Sequence, residues 1–180
     1  CAGTPLAAAT FVRVLRGAAD RSIADGLVAE SRAYSDLQAG PEFRRWREAT
    51  PRRERPAGDD PVLVERDEHV LRLTLHRPHV RNAFNAAMRE GLLDALAIAQ
   101  LDPSVERVEL RGEGPAFCSG GDLDEFGTFE SPDAAHELRV ERSVARVIAE
   151  LADRVTVHLH GACAGAGIEL PAFAGHVVAA

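Results

Sequence analysis

The chain has 180 residues, 46% of them hydrophobic, and its 21 basic and 28 acidic residues leave a net charge of -7. That length allows one domain with a real core plus an appendage, and the acidic balance disfavours nucleic acid or an anionic membrane surface as a partner. Every basic residue is an arginine, which excludes a catalytic lysine and a Walker A phosphate loop.

Residues 1–49 read as a helical extension. Pro5 starts an amphipathic segment carrying Phe11, Val12 and Leu15, and Ser22 is placed to cap a second segment that Gly40-Pro41 closes. Phe43 and Trp46 share one side of a short third helix. Residues 50–61, "TPRRERPAGDDP", have the Pro- and charge-rich composition of a linker. From residue 62 the pattern changes. "VLVERDEHVLRLTLHRP" alternates apolar and polar residues about a turn at Asp67-Glu68, which predicts a hairpin. The stretch 81–101 predicts an amphipathic helix with Phe84, Met88, Leu92, Leu93 and Leu96 on its apolar side. "VERVELRGEG" predicts a strand, "DEFGTFESPD" a mobile acidic stretch, and residues 134–152 one long helix. "RVTVHLHG" and "HVVAA" predict two further strands. Strands alternating with helices define an α/β sheet. No apolar run approaches the ~20 residues of a membrane span.

Two glycine-rich loops, "GPAFCSGGDLDEF" (114–126) and "GACAGAGIEL" (161–170), each fall where a strand ends and a helix begins. Ligands of open α/β sheets bind at such ends, where backbone N–H groups are unpaired. The second loop lacks the G-x-G-x-x-G spacing of a dinucleotide site, and no acidic ribose partner follows it. Two such N–H groups converging on one carbonyl oxygen would form an oxyanion hole, and a single donor of that kind contributes ~3–4 kcal/mol.

In order and spacing, "RPHVRNAF", "GEGPAFCSGGDLDEF" and "VHLHGACAGAGIEL" resemble the crotonase (enoyl-CoA hydratase/isomerase) superfamily over residues 62–180. The resemblance implies a ββα spiral core whose N-terminal part is in view, usually trimeric, that acts on acyl-CoA thioesters. It assigns the oxyanion N–H groups to Gly121 and to Ala166, where Ala stands in place of the family's Gly, and the acid/base carboxylate to Glu169. A second family glutamate is expected beyond Ala180, so the chain reads as part of a longer polypeptide. Main chain at Ala116, Cys118, Asp122 and Leu123 is expected to contact coenzyme A, and Arg77 or Arg81 to meet a phosphate. No cofactor is expected beyond the coenzyme A of the substrate. A homo-oligomer, trimer or hexamer, is the expected assembly.

Cys1, Cys118 and Cys163 form neither a disulfide framework nor a zinc spacing, so a reduced, cytoplasmic setting is expected. Cys118 beside the proposed hole reads as a small packed residue rather than a nucleophile. Ser119 is not in a G-x-S-x-G elbow. His158 and His160 share a strand face but lack a third ligand at usable spacing. His136 falls near the stretch that borders the acyl pocket in relatives. Hydratase is the first expectation and isomerase the second, with thioester hydrolysis also open. The competing class is a non-catalytic acyl-CoA-binding or scaffold protein.

Overall fold

In the computed structural model, which describes residues 3–53 and 60–180, the alternating segment after Asp60 folds as the expected hairpin. Strands β1 (Val62–Asp67) and β2 (Val70–Leu75) pair antiparallel, and Glu68 takes a positive φ in the turn, which is Glu68-His69 rather than Asp67-Glu68. Strand β3 (Arg107–Gly112) then adds parallel to β2, β4 (Val155–Leu159) to β3, and β5 (His176–Ala179) to β4. The sheet order is β1-β2-β3-β4-β5.

Period-2 alternation decides which face is dry. Leu71, Leu73, Leu75, Val108, Leu110, Val155 and Val157 are buried on one face, with helices α4 (Ala86–Leu101) and α6 (Val144–Glu150) supplying Met88, Leu92, Leu96, Val147 and Ile148 to the same core. Arg72, Glu109 and Arg111 alternate with these residues, and the Glu109 carboxylate lies 3.4 Å from Arg72 and 2.8 Å from Arg111. Both side chains of β5 that are large and apolar, Val177 and Val178, are exposed.

Two of the expected helices differ in their bounds. Helix α4 starts at Ala86, capped by the Asn85 side chain, instead of at Arg81. Arg81 and Asn82 both have φ of 53°, left-handed geometry that no helix continues, and Phe84 is used in an isolated parallel bridge to Gly121. The long helix over 134–152 is two, α5 (Pro132–Glu141) and α6, because Arg142 leaves helical geometry at φ -103°, ψ 46°.

The described residues fall into two compact units. One is the sheet with α4, α6 and the short helix α7 (Ala166–Glu169). The other joins the N-terminal helices to Leu123–Ser143. In the second unit, α1 (Pro5–Arg16), α2 (Ile23–Gln38) and α3 (Pro41–Ala49) form as the sequence predicts, and the Ser22 hydroxyl accepts the Asp25 N–H at 3.1 Å. Helix α2 meets α5 through small and polar groups. Ser35 donates to the Ser31 carbonyl, Arg139 donates to Ser35 Oγ at 2.7 Å, and the His136 ring is 3.0 Å from Ser31 Oγ.

The acidic stretch after Leu123, expected to be mobile, is bonded within this unit. Arg47 donates to the carbonyls of Leu123 and Phe126, and Arg52 to those of Asp124, Phe126 and Gly127. Phe126 packs edge-on to Tyr34 and tilted to Trp46, whose ring also carries the Arg47 guanidinium at 4.5 Å. Helix α1 leaves Phe11 and Leu15 exposed. Of the linker expected over 50–61, residues 54–59 lie outside the described residues. Among the described residues no helix is long and apolar enough to cross a membrane.

Candidate active site

The two glycine loops lie side by side. Cys118 and Cys163 pair in parallel register, Ala116 and Gly161 antiparallel, and the Ala164 N–H donates to the Cys118 carbonyl at 3.1 Å. The approach is close enough to require glycine. A Cβ on Gly167 would sit 2.1 Å from the Cys118 oxygen, and Gly165, at φ +48°, would bring a Cβ within 3.9 Å of the Gly121 nitrogen. Gly114 and Gly120, at φ +80° and +101°, serve the turn itself, as their position in the sequence suggests.

Gly121 is held by its neighbours rather than by its own polar groups. Phe84 donates its N–H to the Gly120 carbonyl at 2.8 Å and accepts the Asp122 N–H at 2.7 Å. In extended backbone, alternate peptide groups face opposite sides, so these two bonds turn the Gly121 N–H away from Phe84. Among the described residues that N–H donates to no acceptor. Neither does the N–H of Ala166, the first residue of α7, where an unsatisfied donor is the rule. Ala166 has negative φ, so alanine in place of glycine is unstrained there. Both residues are partly open to solvent.

Glu169 is the last residue of α7 and its N–H donates to the Gly165 carbonyl at 2.8 Å. Its side chain is exposed in the single chain. The carboxylate stands near enough to Cys118 for its charge to act on that thiol. Burial, first, and the charges of Cys163 and Glu169 raise the Cys118 pKa, against hydrogen bonding to the Gly120 region. Cys118 is therefore a packed thiol whose burial favours the protonated form.

The residues expected to meet coenzyme A divide by environment. Ala116 and Cys118 have buried side chains, and their carbonyls accept from Asn82 Nδ2 and the Ala164 N–H. Leu123 and Arg81 are exposed, with the Arg81 carbonyl accepting the Ser119 N–H at 3.0 Å. Asp122 is 4% exposed, and its carboxylate meets Arg77 Nη2 at 3.1 Å. Arg77 donates to Asp122 and to the Ala83 carbonyl. His160 contacts the Gly114 carbonyl at 2.9 Å, and among the described residues no cluster of His, Cys, Asp or Glu could hold a metal ion. A cavity of about 480 Å³ lies within the helical unit, lined by Phe43, Arg44, Arg47, Arg52 and Phe129 among others.

Sequence reasoning missed Asn82. It is fully buried, accepts the Arg77 N–H at 2.8 Å, and donates at 2.9 Å to both the Glu113 and Ala116 carbonyls. The available signal was an asparagine beside Arg81 just ahead of a cap, since Asn tolerates left-handed backbone better than other side-chain-bearing residues.

The family model for enoyl-CoA hydratase/isomerase matches residues 65–180, and the chain belongs to that family, the crotonase superfamily. A probable enoyl-CoA hydratase of Rhodobacter capsulatus is 39% identical over 120 residues, 66% of this chain and 46% of the relative. The 1,2-epoxyphenylacetyl-CoA isomerase of Escherichia coli is 32% identical over 123 residues, 66% of this chain and 47% of the relative. The crystal structure of an enoyl-CoA hydratase from Mycobacterium smegmatis superimposes with a TM-score of 0.62 at 35% identity, over 67% of this chain and 48% of that one. The chain thus spans about half the length of the curated relatives it matches. The family match leaves out α1, α2 and α3.

Proposed function

We propose that this chain converts an acyl-CoA thioester, with the N–H groups of Gly121 and Ala166 donating to the thioester oxygen as it gains enolate charge and Glu169 moving the proton. The observation that carries the reading is the pair of adjoining loops, each presenting one N–H with no acceptor among the described residues. Donors already aimed at developing charge need no reorganisation during reaction, and each contributes ~3–4 kcal/mol to the barrier. Because α7 has four residues, its dipole adds little, and the individual N–H groups carry the effect.

Glu169 acts as general acid or base. In the hydratase direction its carboxylate activates water for addition to the double bond, and the thioester-stabilised enolate is then protonated at the carbon next to the carbonyl. A bound acyl chain or a neighbouring subunit covering the exposed Glu169 would desolvate it and raise its pKa toward neutrality. Hydratase is the first reading and isomerase the second, in keeping with relatives that bear both names. We extend the proposal to a cytoplasmic homo-oligomer that needs no cofactor beyond the coenzyme A of its substrate.

The test is turnover of crotonyl-CoA by the purified protein and by Glu169→Gln. A rate loss of at least about 100-fold with thioester binding retained is expected. Binding of acyl-CoA esters without turnover by the parent protein would favour the non-catalytic reading. No affinity for any acyl-CoA ester would end both.

A further inference from the structure

Two buried polar groups lie behind the glycine loop and reach none of the atoms proposed to react. The first is the Arg77–Asp122 pair, with side chains 13% and 4% exposed and Nη2 to Oδ2 at 3.1 Å. The second is Asn82, 0% exposed. Together they tie the segment 77–84 to the segment 113–122. Asn82 Nδ2 holds the carbonyls of Glu113 and Ala116, the Arg81 carbonyl accepts from Ser119, and Phe84 brackets Gly121 through Gly120 and Asp122. Arg77 closes the loop at its far end, holding the Ala83 carbonyl with one terminal nitrogen and the Asp122 carboxylate with the other.

A buried ion pair is weak evidence for stability, since two desolvated charges roughly offset their own attraction. What such a pair does supply is a fixed geometry. The residue whose geometry it fixes is the one next to Asp122. Gly121 has no side chain, and the peptide that carries its N–H is held through the Gly120 carbonyl, which accepts the Phe84 N–H. A glycine peptide next to a φ of +101° has several accessible orientations. Arg77 holds the Asp122 carboxylate and the Ala83 carbonyl, which belongs to the same peptide as the Phe84 N–H, so the ion pair keeps Phe84 seated against the Gly120–Gly121 peptide and leaves the Gly121 N–H one direction.

We propose that Asp122, through its ion pair with Arg77, is a positioning residue that sets the direction of the Gly121 N–H toward the thioester oxygen. The proposal rests on the oxyanion reading given above. Asp122 acts by keeping Phe84 seated against the Gly120 carbonyl, and an unaligned donor loses most of its electrostatic effect.

The test uses cinnamoyl-CoA as a spectroscopic probe, alongside kcat and KM for crotonyl-CoA. A carbonyl that accepts strong hydrogen bonds shifts the absorbance of its conjugated system to longer wavelength, and this readout needs no turnover. The parent protein and Glu169→Gln are expected to show the shift in full. Asp122→Asn is expected to lose at least about half of it and to lower kcat about 10- to 100-fold, with KM changed less than about threefold, as for loss of one aligned donor. Because Asp122→Asn leaves Arg77 buried without its counter-charge, the double variant Arg77→Met with Asp122→Leu removes both charges and keeps the volume. It is expected to regain thermal stability without regaining the shift. A full shift in either variant, with only the melting temperature moved, overturns the positioning role and leaves the oxyanion reading standing. No shift in the parent protein, with the probe bound, overturns both.

Discussion

Replacing Asn82 with alanine gives the sharpest test of how this loop is built. The side chain is fully buried and makes three hydrogen bonds, one accepted from the Arg77 N–H and two donated to the carbonyls of Glu113 and Ala116. Alanine deletes all three bonds, of which the one to the Ala116 carbonyl is buried and the other two are part-buried. Each of the main-chain groups costs about 1–3 kcal/mol when its partner is removed. Alanine must also hold a φ of 53°, for which asparagine is better suited, at a cost of about 1 kcal/mol. If the two part-buried groups recover water, the sum is still about 2–4 kcal/mol, a large share of the stability of an ordinary domain. In urea, with a slope of about 2 kcal/mol/M, the midpoint should fall by about 1–2 M with little change in slope. Asn82→Asp should be nearly as damaging, because the carboxylate keeps the acceptor for Arg77 but cannot donate to either carbonyl. A loss under about 1 kcal/mol for Asn82→Ala would refute the reasoning and mean that the 113–116 turn holds its shape without the amide.

Gly167→Ala would set a Cβ 2.1 Å from the Cys118 carbonyl, a contact that only movement of one loop relieves; crotonyl-CoA turnover should fall at least about 10-fold, and unchanged kinetics would show that the loops tolerate separation. The Asp102 carboxyl is held well below the usual carboxylate range by the Ser104 hydroxyl first, then by Arg66 and the Ser104 N–H. A depressed folded-state pKa means that this stabilisation is present above the unfolded value near 4 and is lost as pH falls below it. Asp102→Asn should therefore flatten the stability profile below about pH 4 and leave its shape above pH 5 alone, and an unaltered acid limb would contradict the assignment. Cys118 is 1% exposed with its pKa raised chiefly by burial, whereas Cys163 is half-buried. N-ethylmaleimide should thus modify Cys163 in the native protein well before Cys118, as peptide mass spectrometry would report; the reverse order would place Cys118 in contact with solvent.

Much of the architecture was legible from residue order alone. The alternation in "VLVERDEHVLRLTLH" determined the hairpin, because a period of two leaves only one face able to be dry. Ser22 and Pro41 marked helix starts that the structure bears out, since a cap or a fixed φ acts within a single turn. The three ordered motifs likewise carried the family. Local signals failed at Arg81–Phe84 and at Arg142. At the first, helical periodicity was present but Asn82 is drawn into left-handed geometry by bonds to carbonyls 31 and 34 residues away. The acidic stretch after Leu123 looked solvated by composition, yet Arg47 and Arg52 bind its carbonyls from more than 70 residues away.

The sequence by itself determined which segments become strands and helices, and where the glycines must lie, because those choices rest on forces acting within a few residues. Only the tertiary structure decided which backbone donors stay unpaired, and that Arg77 pairs with Asp122. Hydrogen bonds between distant segments are selected by the packing that brings them together, and no spacing along the chain encodes that selection.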